Sequence, residues 1–114
     1  MAGGIERGEI RLYSFSAPDK ARPVLVLTRA SAIGYLSRIT VAPITSSIRG
    51  VPSEVIIGPD DGMKQPCAVN LHNVVTVSKK DIGRRVAQLE ERRMQEVCRA
   101  LAFALGCSDG FNLQ

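Results

Sequence analysis

The chain holds very little of the usual catalytic inventory. It has a single histidine, His72, only three cysteines and no tryptophan. One histidine excludes a paired-imidazole nuclease, and any Ser-His-Asp or Cys-His triad would have to be built on His72 alone. No cluster of acidic residues resembles a two-metal site, because Asp60 and Asp61 fall in a Gly-Pro-Asp-Asp-Gly stretch where they read as turn formers. Neither G-x-x-x-x-G-K-[ST] nor G-x-G-x-x-G occurs, which speaks against nucleotide-dependent chemistry. Cys67, Cys98 and Cys107 cannot all pair and none lies in a C-x-x-C, so free thiols and no structural zinc are expected. No cofactor and no metal are therefore expected.

Long apolar runs are also missing. Nothing approaches the roughly 20 residues needed to span a bilayer, and the opening MAGGIERGEI lacks the basic-then-apolar pattern of a signal peptide. The expectation is a cytoplasmic protein with no membrane contact. Aromatics are scarce, at 4 % of residues, so a core must come from Val, Ile, Leu and Ala. At 114 residues the chain is long enough for one domain and too short for two. We read 1–114 as a single domain with an ordered core over about 7–106.

What is present is charge of one sign and β-rich patterning. The formal net charge is +4, which fits a polyanionic partner without identifying it. Ile10–Phe15 alternates as a short strand, and Val24–Leu27 is a continuous apolar run suited to a strand buried on both faces. Residues from Ser16 to Ala21, with Pro18 and Asp19, mark a turn. Ala30–Ser37 reads as a loop or a broken turn around Gly34. Ile39–Ile44 is β-branched but carries Pro43, which predicts a bulge or an edge at that end. Glu54–Ile57, Cys67–Leu71, Val74–Val77 and Arg85–Leu89 read as further strands, punctuated by turns at Gly50–Pro52 and Gly58–Gly62.

The final segment has a different period. Met94, Val97, Cys98, Leu101, Ala102 and Leu105 recur on one helical face. Glu90 and Glu91 stand at its start, where the helix dipole favours anions, and Gly106 supplies a stop. Five to seven short strands followed by one amphipathic helix predict a mainly β, α+β fold. The expected form is a small, partly closed antiparallel barrel of SH3 type with the helix packed over it.

The remaining chemistry lies in Arg, Thr, Ser and Asn residues at strand ends. Arg22 immediately precedes a proline and a buried-type strand. Thr45, Ser46 and Ser47 close the next long strand, followed by Arg49. If the two strands are neighbours, Arg22 and Thr45 meet at one end of the sheet, a rigid place to hold functional groups. Taken singly, Arg22 reads as a solvated arginine, Thr45 as an ordinary β-branched residue and His72 as a polar surface residue.

Several segments together resemble the MazF/PemK toxins of type II toxin–antitoxin systems. Arg7-Gly8-Glu9-Ile10 is similar to that family's R-G-[DE]-[IV] opening. Lys20-Ala21-Arg22-Pro23-Val24-Leu25-Val26-Leu27 resembles its R-P strand, and Val41-Ala42-Pro43-Ile44-Thr45-Ser46 the V-x-P-[IVL]-T-[ST] strand that follows. Asn70–Val77, then Lys79–Gly83 with Val86–Leu89, resemble the stretches before the last helix. The likeness runs in order over about residues 7–106.

The resemblance implies a barrel-like homodimer that cuts single-stranded RNA at short sequences without metal. The products would carry a 2′,3′-cyclic phosphate or 3′-phosphate and a 5′-hydroxyl. It places Arg22 and Thr45 at the catalytic positions and implies a MazE-like antitoxin whose acidic segment occupies the RNA groove. Two departures stand out: a short Ser16–Ala21 loop, and His72-Asn73 where many relatives carry an acidic residue and glutamine. For RNA contact, Ser46, Ser47, His72 and Asn73 are the polar candidates, and Tyr13, Phe15 and Tyr35 the stacking ones. Arg49, Lys79, Lys80, Arg84 and Arg85 could follow phosphates, or simply form a solvated face. A guanidinium stays protonated at neutral pH, so Arg22 is expected to clamp charge and donate, with the base unassigned. The rivals are a gyrase poison of the CcdB type and an inactive binding module on the same fold. The first would need a Trp-Gly-Ile-like tail, whereas this chain ends Gly110-Phe111-Asn112-Leu113-Gln114.

Overall fold

Among the described residues, seven short strands precede a single long helix. The computed structural model describes residues 4–15 and 20–107. The expected turn over Ser16–Ala21 lies largely outside these residues, and the tail Gly110–Gln114 wholly so. In chain order the elements are β1 (Glu9–Tyr13), β2 (Arg22–Val26), α1 (Ala30–Ile33), β3 (Arg38–Thr45), β4 (Glu54–Ile57), β5 (Cys67–Asn70), β6 (Val75–Ser78), β7 (Arg85–Gln88) and α2 (Glu91–Leu105). Single 3₁₀ turns occupy Pro59–Asp61, Leu71–Asn73 and Lys79–Asp81. The strands form one antiparallel sheet in the order β4-β5-β3-β2-β1-β7, with β6 also pairing β3. Among the described residues no helix is long and apolar enough to cross a membrane.

Strands β2 and β3 are covered on both faces, which is why they read as near-continuous apolar runs. Leu25, Ala42 and Ile44 point into one cluster with Ile10, Val55, Val69 and the α2 residues Met94, Val97 and Ala100. Val24, Val26, Ile39 and Val41 point the other way, into a second cluster closed by Ile33 of α1 and by Val77. Each fully buried aliphatic side chain contributes about 1.5–3 kcal/mol.

Pro43 does not produce a bulge. The β2–β3 register runs through it unbroken, pairing Val24 with Pro43 and Val26 with Val41. The Leu27 amide donates to the Thr40 carbonyl across this pair, so the even residues of β3 direct their backbone groups toward β2. Pro43 therefore directs its missing donor to the opposite edge. There β6 stops at Val41 and β5 begins at Ile44. The proline sits at the handover between two partner strands, where no ladder bond is due.

Three expectations change in detail. The Ala30–Ser37 stretch holds a one-turn helix, α1, which plants Ile33 in the second cluster. Glu90 flanks α2 as its N-cap, and only Glu91 lies in the first turn. The buried stripe of α2 is Met94, Val97, Ala100 and Ala102, while Cys98 and Leu105 are exposed. The helix lies across β4 and the Leu71–Asn73 turn, and Leu105 and Phe103 end up uncovered. Gly106 closes α2 in the left-handed conformation as expected, its amide donating to the Phe103 carbonyl.

Two charged clusters fasten the ends of the fold. Arg11 and Glu9 are both buried, joined at 2.8 Å, and Arg11 donates further to the carbonyls of Gly83 and Gly4. Arg93 ties α2 to the Gly58–Gly62 turn. It meets Asp61 at 3.1 Å and also reaches Glu96 and the Ile56 carbonyl. The hydrogen bonds it donates to Asp61 hold the Arg93 guanidinium firmly charged, outweighing burial. Gly62 turns with φ of +92°, and a Cβ there would stand 3.0 Å from that of Ala87.

Candidate active site

The second face of the sheet is roofed at only one end. Around Val26, Ile39 and Val41 it lies under α1. Toward the N-terminal end of β2 and the C-terminal end of β3 the roof stops, and polar residues replace aliphatic ones. The register that pairs Val24 with Pro43 sets Arg22 across from Thr45 when carried two residues further. Tyr13 pairs with Arg22 on the other side, and Ala68 with Thr45. Tyr13, Arg22, Thr45 and Ala68 thus form one row across four strands, and side chains in such a row share a face.

Two open grooves meet at this row. One, of about 560 Å³, is lined by Phe15, Arg22, Thr45, Ser47, Arg49 and Asn73, together with Glu54 and Asn70. The other, of about 980 Å³, runs past Lys20, Arg22, Thr45, Ser46 and Lys64. Arg22 and Thr45 belong to both. Arg22 is exposed and Thr45 half-buried. The Ser47 amide donates to Thr45 Oγ1 at 3.1 Å. That bond fills one acceptor position of the hydroxyl and leaves its own proton free to be donated elsewhere. The site can therefore offer a charged planar fork and a directed hydroxyl to one anionic group.

The other expected residues divide by position. Ser46, Ser47, Arg49 and Asn73 line the grooves. His72 borders neither groove, and its Nδ1 is hydrogen-bonded to the hydroxyl of Ser53, a buried residue. Lys79 and Lys80 follow β6, which pairs with the Arg38 end of β3, so they sit at the opposite end of that strand from Thr45. Eight residues of strand put those ends about 23 Å apart. The Lys79 ammonium is engaged there, donating to the Ile33 carbonyl at 2.7 Å. The geometry thus withdraws His72, Lys79 and Lys80 from the groove. Arg84 lines a separate hollow beside Tyr13, and Arg85 donates to Gln88.

Of the aromatic candidates, Tyr13 packs against the second cluster and meets Phe15 edge-on, with ring centroids 5.0 Å apart. Phe15 lines the groove, while Tyr35 stands exposed beyond α1. Glu54 and Asn70 also line the smaller groove, and no sequence motif singles them out. Glu54 opens a strand with no distinguishing neighbour. Asn70 had a local signal, since its Oδ1 accepts from the His72 amide two residues on, a habit of Asn in turns. Cys67 is buried, whereas Cys98 and Cys107 are exposed.

Comparison with known proteins places these features in a family context. The model of the PemK-like, MazF-like toxin of type II toxin–antitoxin systems matches residues 6–105. A Mycobacterium tuberculosis protein named probable endoribonuclease MazF5 is 44 % identical over 103 residues, spanning 90 % of this chain and 94 % of that one. Among solved structures, the Mycobacterium tuberculosis toxin MazF-mt6 superposes with a TM-score of 0.78 at 35 % identity, covering 86 % of this chain and 96 % of that one. A mycobacterial endoribonuclease in complex with its cognate antitoxin shares the fold, with a TM-score of 0.80 at 24 % identity over 90 % and 95 % of the two chains.

Proposed function

Because the chain belongs to the PemK-like, MazF-like toxin family, we propose that it is an endoribonuclease that cuts single-stranded RNA at the Arg22–Thr45 row. The observation that carries this reading is the β2–β3 register, which brings a guanidinium and a hydroxyl to one open end of the sheet. The relative named a probable endoribonuclease supports the reaction class.

Cleavage begins with attack of a 2′-hydroxyl on the adjacent phosphorus. The new P–O bond closes a 2′,3′-cyclic phosphate, the bond to the 5′-oxygen breaks, and that oxygen leaves as a hydroxyl after taking a proton from water. The attacking hydroxyl gives its proton to a general base. Negative charge builds on the non-bridging oxygens and on the leaving oxygen. Arg22 spans two of these oxygens with parallel N–H donors, and Thr45 donates from its hydroxyl, held in place by the Ser47 amide. Fixed donors of this kind each lower such a barrier by about 3–4 kcal/mol. No step calls on a metal ion.

Unstacked bases would lie along the two grooves, with Phe15 as a stacking face and Ser46, Ser47 and Asn73 at their edges. Arg49, Lys20 and Lys64 border the same grooves and suit the phosphates. That basic rim also suits the acidic segment of a MazE-like antitoxin, a partner class represented by the relative solved with its cognate antitoxin. The working form is a symmetric homodimer in the cytoplasm. Phe103 and Leu105, left on the surface of α2, are the kind of apolar residues an interface covers.

The test is incubation of the purified protein with a long single-stranded RNA in excess chelator, followed by mapping of the ends. Discrete cuts with 5′-hydroxyl termini are expected. Intact RNA would refute the reading, and arrest of DNA gyrase in its place would support the poison.

A further inference from the structure

Glu54 is the one carboxylate among the described residues lining the smaller groove. In a groove that receives a polyanion such a group repels every phosphate, so its place there calls for a donor-bearing neighbour. The side chain is half-buried and held. Its Oε1 accepts from the backbone amides of Gly50 at 2.9 Å and Arg49 at 3.1 Å. Its Oε2 has only a long contact to the Arg49 amide, at 3.4 Å. A carboxylate has further lone pairs to fill, so Oε2, with that single long contact, keeps acceptor capacity on a residue that lines the groove.

Its neighbour supplies the opposite polarity. Asn70 stands directly across from Glu54 in the β4–β5 register and lines the same groove. The Asn70 Oδ1 is taken by the His72 amide, which leaves its NH₂ as the group to offer. One acceptor and one donor thus stand side by side on rigid strands.

Distance separates this pair from the reacting phosphate. Thr45 pairs with Ala68, and Ala68 with Ile56. Glu54 therefore lies two strands away from Thr45 and two residues along, about 10 Å across and about 7 Å lengthwise. That backbone spacing suits a contact with the base of a nucleotide next to the phosphate gripped by Arg22 and Thr45.

We infer that Glu54 and Asn70 form a base-selecting pair for an adenine or cytosine beside the cut: Glu54 accepts from the exocyclic amino group and Asn70 donates to the adjoining ring nitrogen. The assignment rests on the ribonuclease reading and deepens it. Both bases present an amino donor beside a ring acceptor, whereas uracil presents a carbonyl where the amino group would be. In the same placement, uracil and guanine would each set a carbonyl oxygen against the carboxylate and a ring N–H against the Asn70 NH₂.

The experiment maps cuts by wild type and Glu54→Gln on the same long single-stranded RNA in chelator. Glutamine keeps an oxygen for the Arg49 and Gly50 amides but replaces the second acceptor oxygen with a donor NH₂. The wild type is expected to require adenine or cytosine at one position of its motif. The variant is expected to accept uracil there, discrimination falling about tenfold or more. Unchanged base ranking at every position would overturn the pair, and so would complete loss of cutting by a folded variant, which would move Glu54 into the chemistry. Should Glu54→Gln lose its cooperative melt, the wild-type protein decides. Purine riboside in place of adenosine, or pyrimidin-2-one riboside in place of cytidine, must slow cutting about tenfold or more at one position. No such position would end the assignment. A wild type that makes no cuts refutes the ribonuclease reading, and the base-selecting pair falls with it.

Discussion

Arg22 and Thr45 line the same two grooves, and the β2–β3 register that pairs Val24 with Pro43 sets them opposite one another when carried two residues further. Taken singly, each reads as an ordinary strand residue; the pairing of two buried strands makes them a unit. Thr45→Val keeps shape and removes the hydroxyl, and is expected to slow RNA cutting about 100-fold or more. Arg22→Lys keeps the charge and removes the fork, and is expected to slow it at least about tenfold. Single-turnover cleavage of one labelled RNA checks both. Near-normal rates for Arg22→Lys would argue against a two-oxygen grip.

Arg49 and Lys79 separate the groove from the rest of the basic surface. Arg49→Ala is expected to weaken RNA binding and to flatten its dependence on log salt by about 0.7, one phosphate contact to a single strand. Lys79→Ala is expected to leave both unchanged, because its ammonium is engaged with the Ile33 carbonyl at the far end of β3. Titrations at several salt concentrations make the comparison, and equal losses in the two variants would contradict it.

Arg93 and Arg92 are adjacent on α2 but differ in setting. Arg93 is held by Asp61 and Glu96 with its side chain only 14 % exposed, while Arg92 is 67 % exposed. Arg93→Ala leaves the Asp61 carboxylate without its partner and is expected to cost about 3 kcal/mol. Arg92→Ala is expected to leave the urea midpoint where it was, as surface ion pairs usually do. Paired urea melts decide, and similar midpoints for the two would sink the distinction.

The three thiols should react unequally. Burial, aided by the Asp61 charge, pushes the Cys67 thiol up from its ordinary value. Because the folded value is raised, the contribution of this thiol to stability is complete below the ordinary thiol range and is lost as pH rises through the folded value. At neutral pH an aromatic disulfide reagent is expected to modify Cys98 and Cys107 quickly and Cys67 only on unfolding. Three equal rates would contradict the burial.

The sequence by itself determined the local elements, because each rests on near neighbours along the chain. The apolar run Val24–Leu27 required a strand covered on both faces. The spacing of Met94, Val97 and Leu101 required a helix, and Gly58–Gly62 a turn, whatever lay around them. The ordered motifs also made Arg22 and Thr45 legible as a pair. Partner choice belonged to the tertiary structure. That β5 and β6 share one edge of β3 depends on distant contacts, and only that sharing explains how Pro43 sits inside a strand without a bulge. Likewise Glu54 and Asn70 are sixteen positions apart, and Lys79 looks as suited to phosphate as Arg49 until β6 carries it to the other end of the sheet. A side chain's chemistry is set by its residue type, but what it faces is set by strand register, and register is fixed by which distant apolar surfaces bury one another.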